Sequence, residues 1–321
     1  MQLLLLQSVS TALVNAGYAL LVGSLAARRW LGTSSQDQRQ GQSLGDSGQA
    51  QGREIDRMLR HAMAFGFIVA TGALLLTLWQ ASATMADVPL LESGPDLWRM
   101  FAGTSYGRFG LASLVILAAG AAVHLGLRRR WHGPVYMVVV SCMLLAFAVC
   151  RVATGHAAEN GLASIATAVE LIHVLSMALW CGIVFVAAWV TLPDFGRSGM
   201  PGRIGPYLAS VSRWATVALV GVLSTGLYNA FRVLRAPADL IGTDYGWVLT
   251  AKLCLVGVAI ALGGWNRLIG FPAVHAAAMV PGTARNPLSS IRFVLRIESV
   301  VLFTVLLAAA VLTASAPPTS N

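Results

Sequence analysis

The segment GTSYGRFGLASL at residues 103–114 recurs, slightly altered, as GTDYGWVLTAKL at residues 242–253. The two copies agree at six of twelve positions, and each opens a long apolar run that ends in arginine. A match of this length indicates an internal duplication. The repeat therefore predicts that the chain consists of two halves with similar architecture.

Composition places these halves in a membrane. Of the 321 residues, 56% are hydrophobic and only 11% are charged, and the mean hydropathy is +0.70, far from the values of a soluble domain. A membrane-spanning helix needs about 20 mostly apolar residues. The sequence predicts an all-α integral membrane protein with eight such spans, near residues 3–27, 61–82, 109–127, 134–152, 165–192, 208–231, 247–266 and 293–314.

Arginine indicates the orientation of these spans, because basic residues near helix ends are retained in the cytoplasm. Arginine is frequent in the connections after spans 1, 3, 5 and 7, whereas the other connections contain fewer arginines together with acidic residues. We therefore expect both termini to face the periplasm, and we attribute the net charge of +9 to topology and to affinity for anionic lipid rather than nucleic acid. The arginines on the predicted cytoplasmic side are Arg28, Arg29, Arg39, Arg53, Arg57, Arg60, Arg128, Arg129, Arg130, Arg197, Arg203, Arg267, Arg285 and Arg292.

Four spans repeated once keep the same orientation, so we predict two parallel four-helix repeats, over residues 1–152 and 153–321. Each GTxYG motif is expected at the outer entry of a span, where its glycines allow a tight turn and Tyr245 or its counterpart anchors the interface. Residues 28–60, rich in serine, glutamine and glycine toward their middle, are expected to form a mobile cytoplasmic loop.

The two halves differ most in the fifth span. At 100° per residue, Glu170, Met177 and Cys181 lie about 60°, 40° and 80° from His173, so four potential ligands share one helix face, bordered by Trp180. This stripe covers about 16 Å at 1.5 Å per residue. Aligned positions of the first half carry Asn15, Ala19 and Gly23, so the donors occur in one half only.

Imidazole, thioether and thiolate ligands together favour copper, and Cu(I) over Cu(II). Zinc sites more often show several Cys or His residues at short spacing, which this chain lacks. The segment ATGHAAENG (153–161) adds His156 and Glu159 at the outer end of the fourth span. We expect a metal site at the mouth of the bundle, formed by His156 and His173 and supported by Met177, Cys181, Glu159 and Glu170.

Lys252 is the only lysine of the chain, and it lies about five residues inside the seventh span. A bare ammonium group is costly there unless it snorkels or is paired, for example with Glu170 or Asp244. A structural pairing and a gating role both remain open. Because a P-loop requires a lysine outside the membrane, the sequence predicts no ATP-binding domain.

Other candidate donors have simpler explanations. Cys142, Cys150, Cys254 and Met143 are expected to pack against other helices or lipid, although the sequence leaves open whether Met143 and Cys150 take part in an ion path. His61 and His124 fall at predicted cytoplasmic ends, where interfacial roles are more common.

Six segments after the fourth span form a recognisable set: TGHAAENG (154–161), HVLSMALWCG (173–182), TGLYNAFRVL with Asn229 (225–234), TDYGWVLTAKL (243–253), NRL (266–268) and LRIESVVL (295–302). Together they resemble the copper resistance protein D family of bacterial inner-membrane proteins. The resemblance implies copper handling, usually movement from periplasm to cytoplasm, often together with a small periplasmic copper-binding protein C. It points to His156 and His173, whereas Cys181 after Trp180 departs from the small residues common in the family.

Three functions remain in competition, and we expect no enzymatic activity in the first or the third. The first is a copper transporter or channel. The second is a haem- or quinone-linked redox protein, because the outer pair His156 and His173 and the inner pair His61 and His124 are typical of bis-haem helical bundles. The third is a membrane scaffold that receives copper without transporting it.

Overall fold

A computed structural model describes residues 2–39, 46–127, 131, 133–155, 161–193, 195, 201–234, 239–278 and 285–315. These residues form helices and short connections, and no strand occurs among them. Eight helices are long and apolar enough to cross a membrane, which confirms the predicted number. We call them spans 1 to 8; in chain order the helices are Gln2–Arg39, Asp46–Ala86, Ser105–Gly126, Pro134–Ala153, Ile165–Val186, Pro201–Val233, Asp244–Trp265 and Arg285–Ala314.

Most of these helices extend beyond the apolar runs that predict them. The predicted loop at residues 28–60 is wrong in extent, because span 1 continues to Arg39 and span 2 begins at Asp46. The segment contains no proline, and its glutamine and arginine residues are good helix formers, so the helices continue past the apolar segment. Residues 40–45 lie outside the described part of the chain.

Spans 1 and 5 occupy the centre of the bundle, with 61% and 56% of their apolar windows buried, more than in any other span. Span 1 packs against spans 2, 5 and 8. Its crossing with span 5 has no side chain between the backbones: a Cβ atom at Gly23 would overlap the Gly182 carbonyl, and one at Gly182 would overlap the Ala19 carbonyl. Such crossings of small residues let membrane helices pack by direct backbone contact.

Both GTxYG copies adopt the same local structure. Thr104 and Thr243 cap spans 3 and 7, and each hydroxyl accepts a hydrogen bond from the glycine amide three residues later, at 2.9 and 3.0 Å. A Cβ atom at Gly107 or Gly246 would overlap a carbonyl of the short helix just before it, Gly94–Gly103 or Asp239–Gly242. The chain thus turns between two helices within a single residue, Thr104 or Thr243, and Gly107 and Gly246 allow the two helices to approach closely.

Two helices contain a π-helical turn, in which the backbone hydrogen bonds reach one residue further than in an α-helix. Span 5 continues into the turn Ala187–Thr191, and span 7 continues into the turn Asn266–Gly270, followed by the short helix Phe271–Ala278. Both turns pack against span 8. They lie toward the arginine-rich end of the bundle, which holds the connections after spans 1, 3, 5 and 7; the opposite end is the GTxYG end.

Candidate functional site

Two hydrogen bonds join span 5 to span 6 near the GTxYG end. The Asn229 amide donates to the Glu170 carboxylate at 2.7 Å, and His173 Nδ1 lies 2.8 Å from the Thr225 hydroxyl. Glu170 and His173 are three residues apart on span 5, and Thr225 and Asn229 are four apart on span 6, so each pair shares a helix face. Two hydrogen-bonded pairs, Glu170 with Asn229 and His173 with Thr225, thus lie one above the other inside an apolar bundle. We call these four residues the polar ladder.

The contacts of Thr225 bear on the tautomer of His173. The Thr225 hydroxyl lies within hydrogen-bonding distance of the Gly221 carbonyl one turn earlier on span 6, as well as of His173 Nδ1. With the hydroxyl proton donated to that carbonyl, Nδ1 carries the imidazole proton and Nε2 carries the free lone pair of the neutral ring. Histidines that bind metals are usually oriented in this way, by a second residue that accepts the other N–H.

Small residues on span 6 fix the position of the imidazole ring. A Cβ atom at Gly226 would contact His173 Cε1 at 3.6 Å, so this edge of the ring lies directly over the helix backbone. One turn away, Ser176 of span 5 fits against Gly221 so closely that a Cβ at Gly221 would overlap the serine hydroxyl. The close approach of spans 5 and 6 leaves His173 little freedom to rotate.

Cationic groups from two other helices surround Glu170. Lys252 of span 7 lies within electrostatic range of both Glu170 and His173, and Arg151 at the end of span 4 lies within range of Glu170. Within the described residues neither cation forms a direct ion pair with Glu170. Tyr245 of the second GTxYG motif also faces Glu170. The structure thus brings together the residues of spans 5, 6 and 7 that the sequence singles out.

Met177 and Cys181 continue from His173 toward the arginine-rich end. Both are buried, with 7% and 0% of their surface exposed, and Trp180 beside them is 3% exposed. Among the described residues, no three His, Cys, Asp or Glu side chains lie close enough together to hold a metal ion. His156 and Glu159, the remaining predicted ligands, lie outside the described residues.

The histidines near the arginine-rich end do not fit the haem hypothesis. His124 Nδ1 is 2.7 Å from the Tyr136 hydroxyl, and its Nε2 is 3.1 Å from the Arg60 carbonyl oxygen, so both ring nitrogens have protein partners. His61 has an exposed side chain. A histidine that ligates haem iron needs one ring nitrogen for the metal. His124 is held as a structural hydrogen-bonding residue.

The remaining cysteines agree with the packing interpretation. Cys142 and Cys254 are exposed on the outside of the bundle, and Cys150 is half-buried. Met143 is also half-buried. None of the four belongs to the polar ladder between spans 5 and 6.

Sequence reasoning misses three polar groups of the core. Thr225 is only the first residue of the segment TGLYNAFRVL (225–234) in the sequence, and its role depends on a contact across two helices. Glu298 and Asn266 lie in the segments LRIESVVL and NRL, and they are 2% and 1% exposed. Glu298 could have been identified from the sequence, because it carries a carboxyl group within an apolar segment and ionisable residues inside a membrane are by default functional.

Eight apolar helices and a buried group of ionisable side chains define the class of the protein: it is a multi-pass membrane protein with a polar site in its core. The chain belongs to the copper resistance protein D family. The model of the copper resistance protein D-like N-terminal domain matches residues 3–165, about half of the chain, and that of copper resistance protein D matches residues 207–312. Most of span 5, including His173, lies between the two matches.

A curated relative also matches, the copper transport protein CutJ of Bacillus subtilis (strain 168). The two sequences are 24% identical over 207 residues, which cover 64% of this chain and 36% of the relative. The chain thus matches about a third of the relative's length. No solved structure matches the chain.

Proposed function

We propose that this protein carries copper ions from the periplasm into the cytoplasm across a bacterial inner membrane, as a transporter or channel and not as an enzyme. The observation that supports the proposal best is the 2.8 Å contact between His173 Nδ1 and the Thr225 hydroxyl. In the proposed site Nδ1 donates to this hydroxyl, and Nε2 keeps its lone pair for the metal. Because the chain belongs to the copper resistance protein D family, we expect the ion that binds to this nitrogen to be copper.

Copper enters at the GTxYG end and follows the face of span 5. His173 Nε2 is the first ligand within the described residues, and His156 and Glu159 are proposed to complete the site from the preceding connection. Met177 and Cys181 are the next stations, each about 6 Å further along the helix. Imidazole nitrogen and the sulfur atoms of methionine and cysteine suit Cu(I), so the monovalent ion is the favoured substrate.

Electrical potential can drive this movement without ATP. An inside-negative potential favours inward transfer of a monovalent ion by about 2.3 kcal/mol per 100 mV. A series of sites that bind the ion weakly enough to release it is then sufficient for conduction.

Glu170 and Lys252 control entry in this proposal. The ammonium group of Lys252 opposes an incoming cation, and the carboxylate of Glu170 attracts it. Asn229 holds the Glu170 carboxylate in place at 2.7 Å. An arriving copper ion competes with Lys252 for the same negative charge, so Lys252 acts as a gate that shifts when the ion binds.

Topology and partner follow from the same proposal. Both termini face the periplasm and the two four-helix halves are parallel; the arginine distribution and the shared cap geometry of Thr104 and Thr243 support this arrangement. The GTxYG end then faces the periplasm, where a small periplasmic copper-binding protein C is the proposed donor of copper.

Isosteric removal of the Thr225 hydroxyl tests the site. Thr225→Val removes the acceptor of His173 Nδ1–H and frees the imidazole to change tautomer, so we expect copper affinity in detergent to fall 10–100-fold, about the usual cost of losing such a partner. His173→Ala should abolish binding at this site. The matched control is Thr71→Val, because Thr71 precedes Gly72 in span 2 as Thr225 precedes Gly226 in span 6. Among the described residues Thr71 forms no hydrogen bond to a histidine.

Equal copper affinity in the Thr225→Val, Thr71→Val and parent proteins would contradict the assignment of His173 Nε2. Copper uptake by proteoliposomes, with and without an imposed potential, separates transport from the scaffold hypothesis. A protein that binds copper through His173 but moves none into the vesicles would be a scaffold.

A further inference from the structure

Glu298 is a buried carboxyl group in the middle of span 8. Its side chain accepts a hydrogen bond from the Asn266 amide at 3.3 Å, and the Trp180 indole of span 5 also interacts with it. Only 2% of Glu298 is exposed. Within the described residues, no cationic nitrogen lies within ion-pair distance of its oxygens.

The charged and titratable groups on the neighbouring helices do not balance a negative charge at Glu298. Cys181 of span 5 is within electrostatic range, and its thiol supplies no positive charge. Three arginines of spans 1, 7 and 8 make other contacts: Arg296 stacks over the Trp189 ring at 4.6 Å, Arg267 donates to the Thr216 hydroxyl, and Arg28 lies over the rings of Trp131 and Tyr136. A carboxylate here therefore needs a cation from outside, either a proton or a metal ion.

The helices next to Glu298 provide space and polar groups for its carboxyl group. Gly263 leaves room for the carboxyl group, because a Cβ atom at this position would lie 3.2 Å from Glu298 Oε1. Asn266 begins the π-helical turn of span 7, and its side-chain oxygen is buried without a hydrogen-bond partner among the described residues. The other π-helical turn, Ala187–Thr191, packs on the same span 8. Such turns frequently occur at functional sites.

We propose that Glu298 is a proton-exchange group: it holds a proton while the inner part of the copper route is empty and releases it when a copper ion reaches Cys181. This inference rests on the proposed function. Cys181 contacts the ion through its neutral thiol sulfur and keeps its proton. The exchange then replaces one monovalent cation, the proton on the carboxyl oxygen, by another, the copper ion beside the carboxylate, and the released proton passes to water at a membrane face. The net charge of this apolar region stays constant, and no electron is transferred. Copper entry is thereby coupled to the movement of one proton.

Infrared difference spectroscopy tests the state of the carboxyl group directly. The purified full-length protein without copper should show the carbonyl stretch of a protonated carboxyl group, and this band should be missing in Glu298→Gln. Glu54→Gln is the matched control, because Glu54 is an exposed residue paired with Arg57 at 3.0 Å. Glu298→Asp should keep a protonated carboxyl band at a shifted frequency. A parent spectrum without a band assignable to Glu298 would overturn the proposal.

Adding Cu(I) under anaerobic conditions tests the exchange. In weakly buffered solution the parent protein should release one more proton per bound copper ion than Glu298→Gln, and the carboxyl band should disappear. If copper binds, but the band stays and both proteins release equally many protons, the exchange is wrong while the proposed function stands. If the parent binds no copper although the band is present, the proposed function fails instead.

Discussion

At the scale of single residues, helical periodicity predicts which side chains share a face but not what they contact. The face of span 5 with Glu170 and His173 is predicted because both residues lie on one helix. The partners Thr225 and Asn229 come from span 6, and no pattern within one helix indicates a pairing across two. The tautomer of His173 depends on a third group, the Gly221 carbonyl, so it could only be obtained from the structure.

Met177 provides the residue-scale test of the copper route. Met177→Leu keeps the volume of the buried side chain and removes its sulfur, so the fold should be retained at a cost below about 1.5 kcal/mol. We expect slower copper uptake by proteoliposomes with normal membrane insertion. The measurement is the initial rate of uptake at fixed potential. A leucine variant that carries copper as fast as the parent would show that Met177 only packs and that the route lies on another helix.

At the scale of helices, apolar length predicts the eight spans well, because the membrane core fixes how long a crossing helix must be. It does not predict how far a helix continues in water, as the extension of span 1 to Arg39 shows. The π-helical turns at Ala187–Thr191 and Asn266–Gly270 are also absent from the sequence prediction. They arise where a helix meets span 8, a tertiary contact with no signature in the local sequence.

The crossing of spans 1 and 5 makes an element-scale prediction. Gly182→Ala places a methyl group on the Ala19 carbonyl, so the two backbones must separate and lose contact. We expect destabilisation of about 1–3 kcal/mol, the usual range for overpacking a core, seen as a lower unfolding midpoint in detergent. Gly257→Ala is the control, because a Cβ atom at Gly257 meets no atom within 4 Å. Equal midpoints for the two variants would show that the crossing tolerates separation.

At the scale of the whole molecule, the repeated GTxYG motif predicts the halves, and the structure shows that the two motifs have one geometry. Thr104 and Thr243 cap their helices alike, and Gly107 and Gly246 each approach the preceding short helix. The parallel relation of the complete halves remains a prediction. It concerns helix packing far from the motif, where Asn15 and His173 have already diverged.

Fusions of reporter domains test the topology that this relation requires. Four spans per half would place residues 1, 153 and 321 on one side of the membrane, and the arginine distribution predicts that this side is the periplasm. A reporter active only in the periplasm should be active at the C-terminus and inactive when inserted in the arginine-rich connection between spans 3 and 4. The opposite pattern of activity would reverse the proposed direction of copper movement.

The contact between Gly23 and Gly182 also limits how the molecule can move. Sliding span 5 along span 1 by one turn would bring Val186 or Ala178 to the place of Gly182, and the Cβ atom of either residue would overlap the Ala19 carbonyl. We therefore expect spans 1 and 5 to move as one rigid body. In the proposed transport cycle, the helices that carry Thr225, Lys252 and Glu298 would move relative to this pair. A copper ion on the proposed route would then pass between donors fixed on span 5 and polar or charged groups that change position.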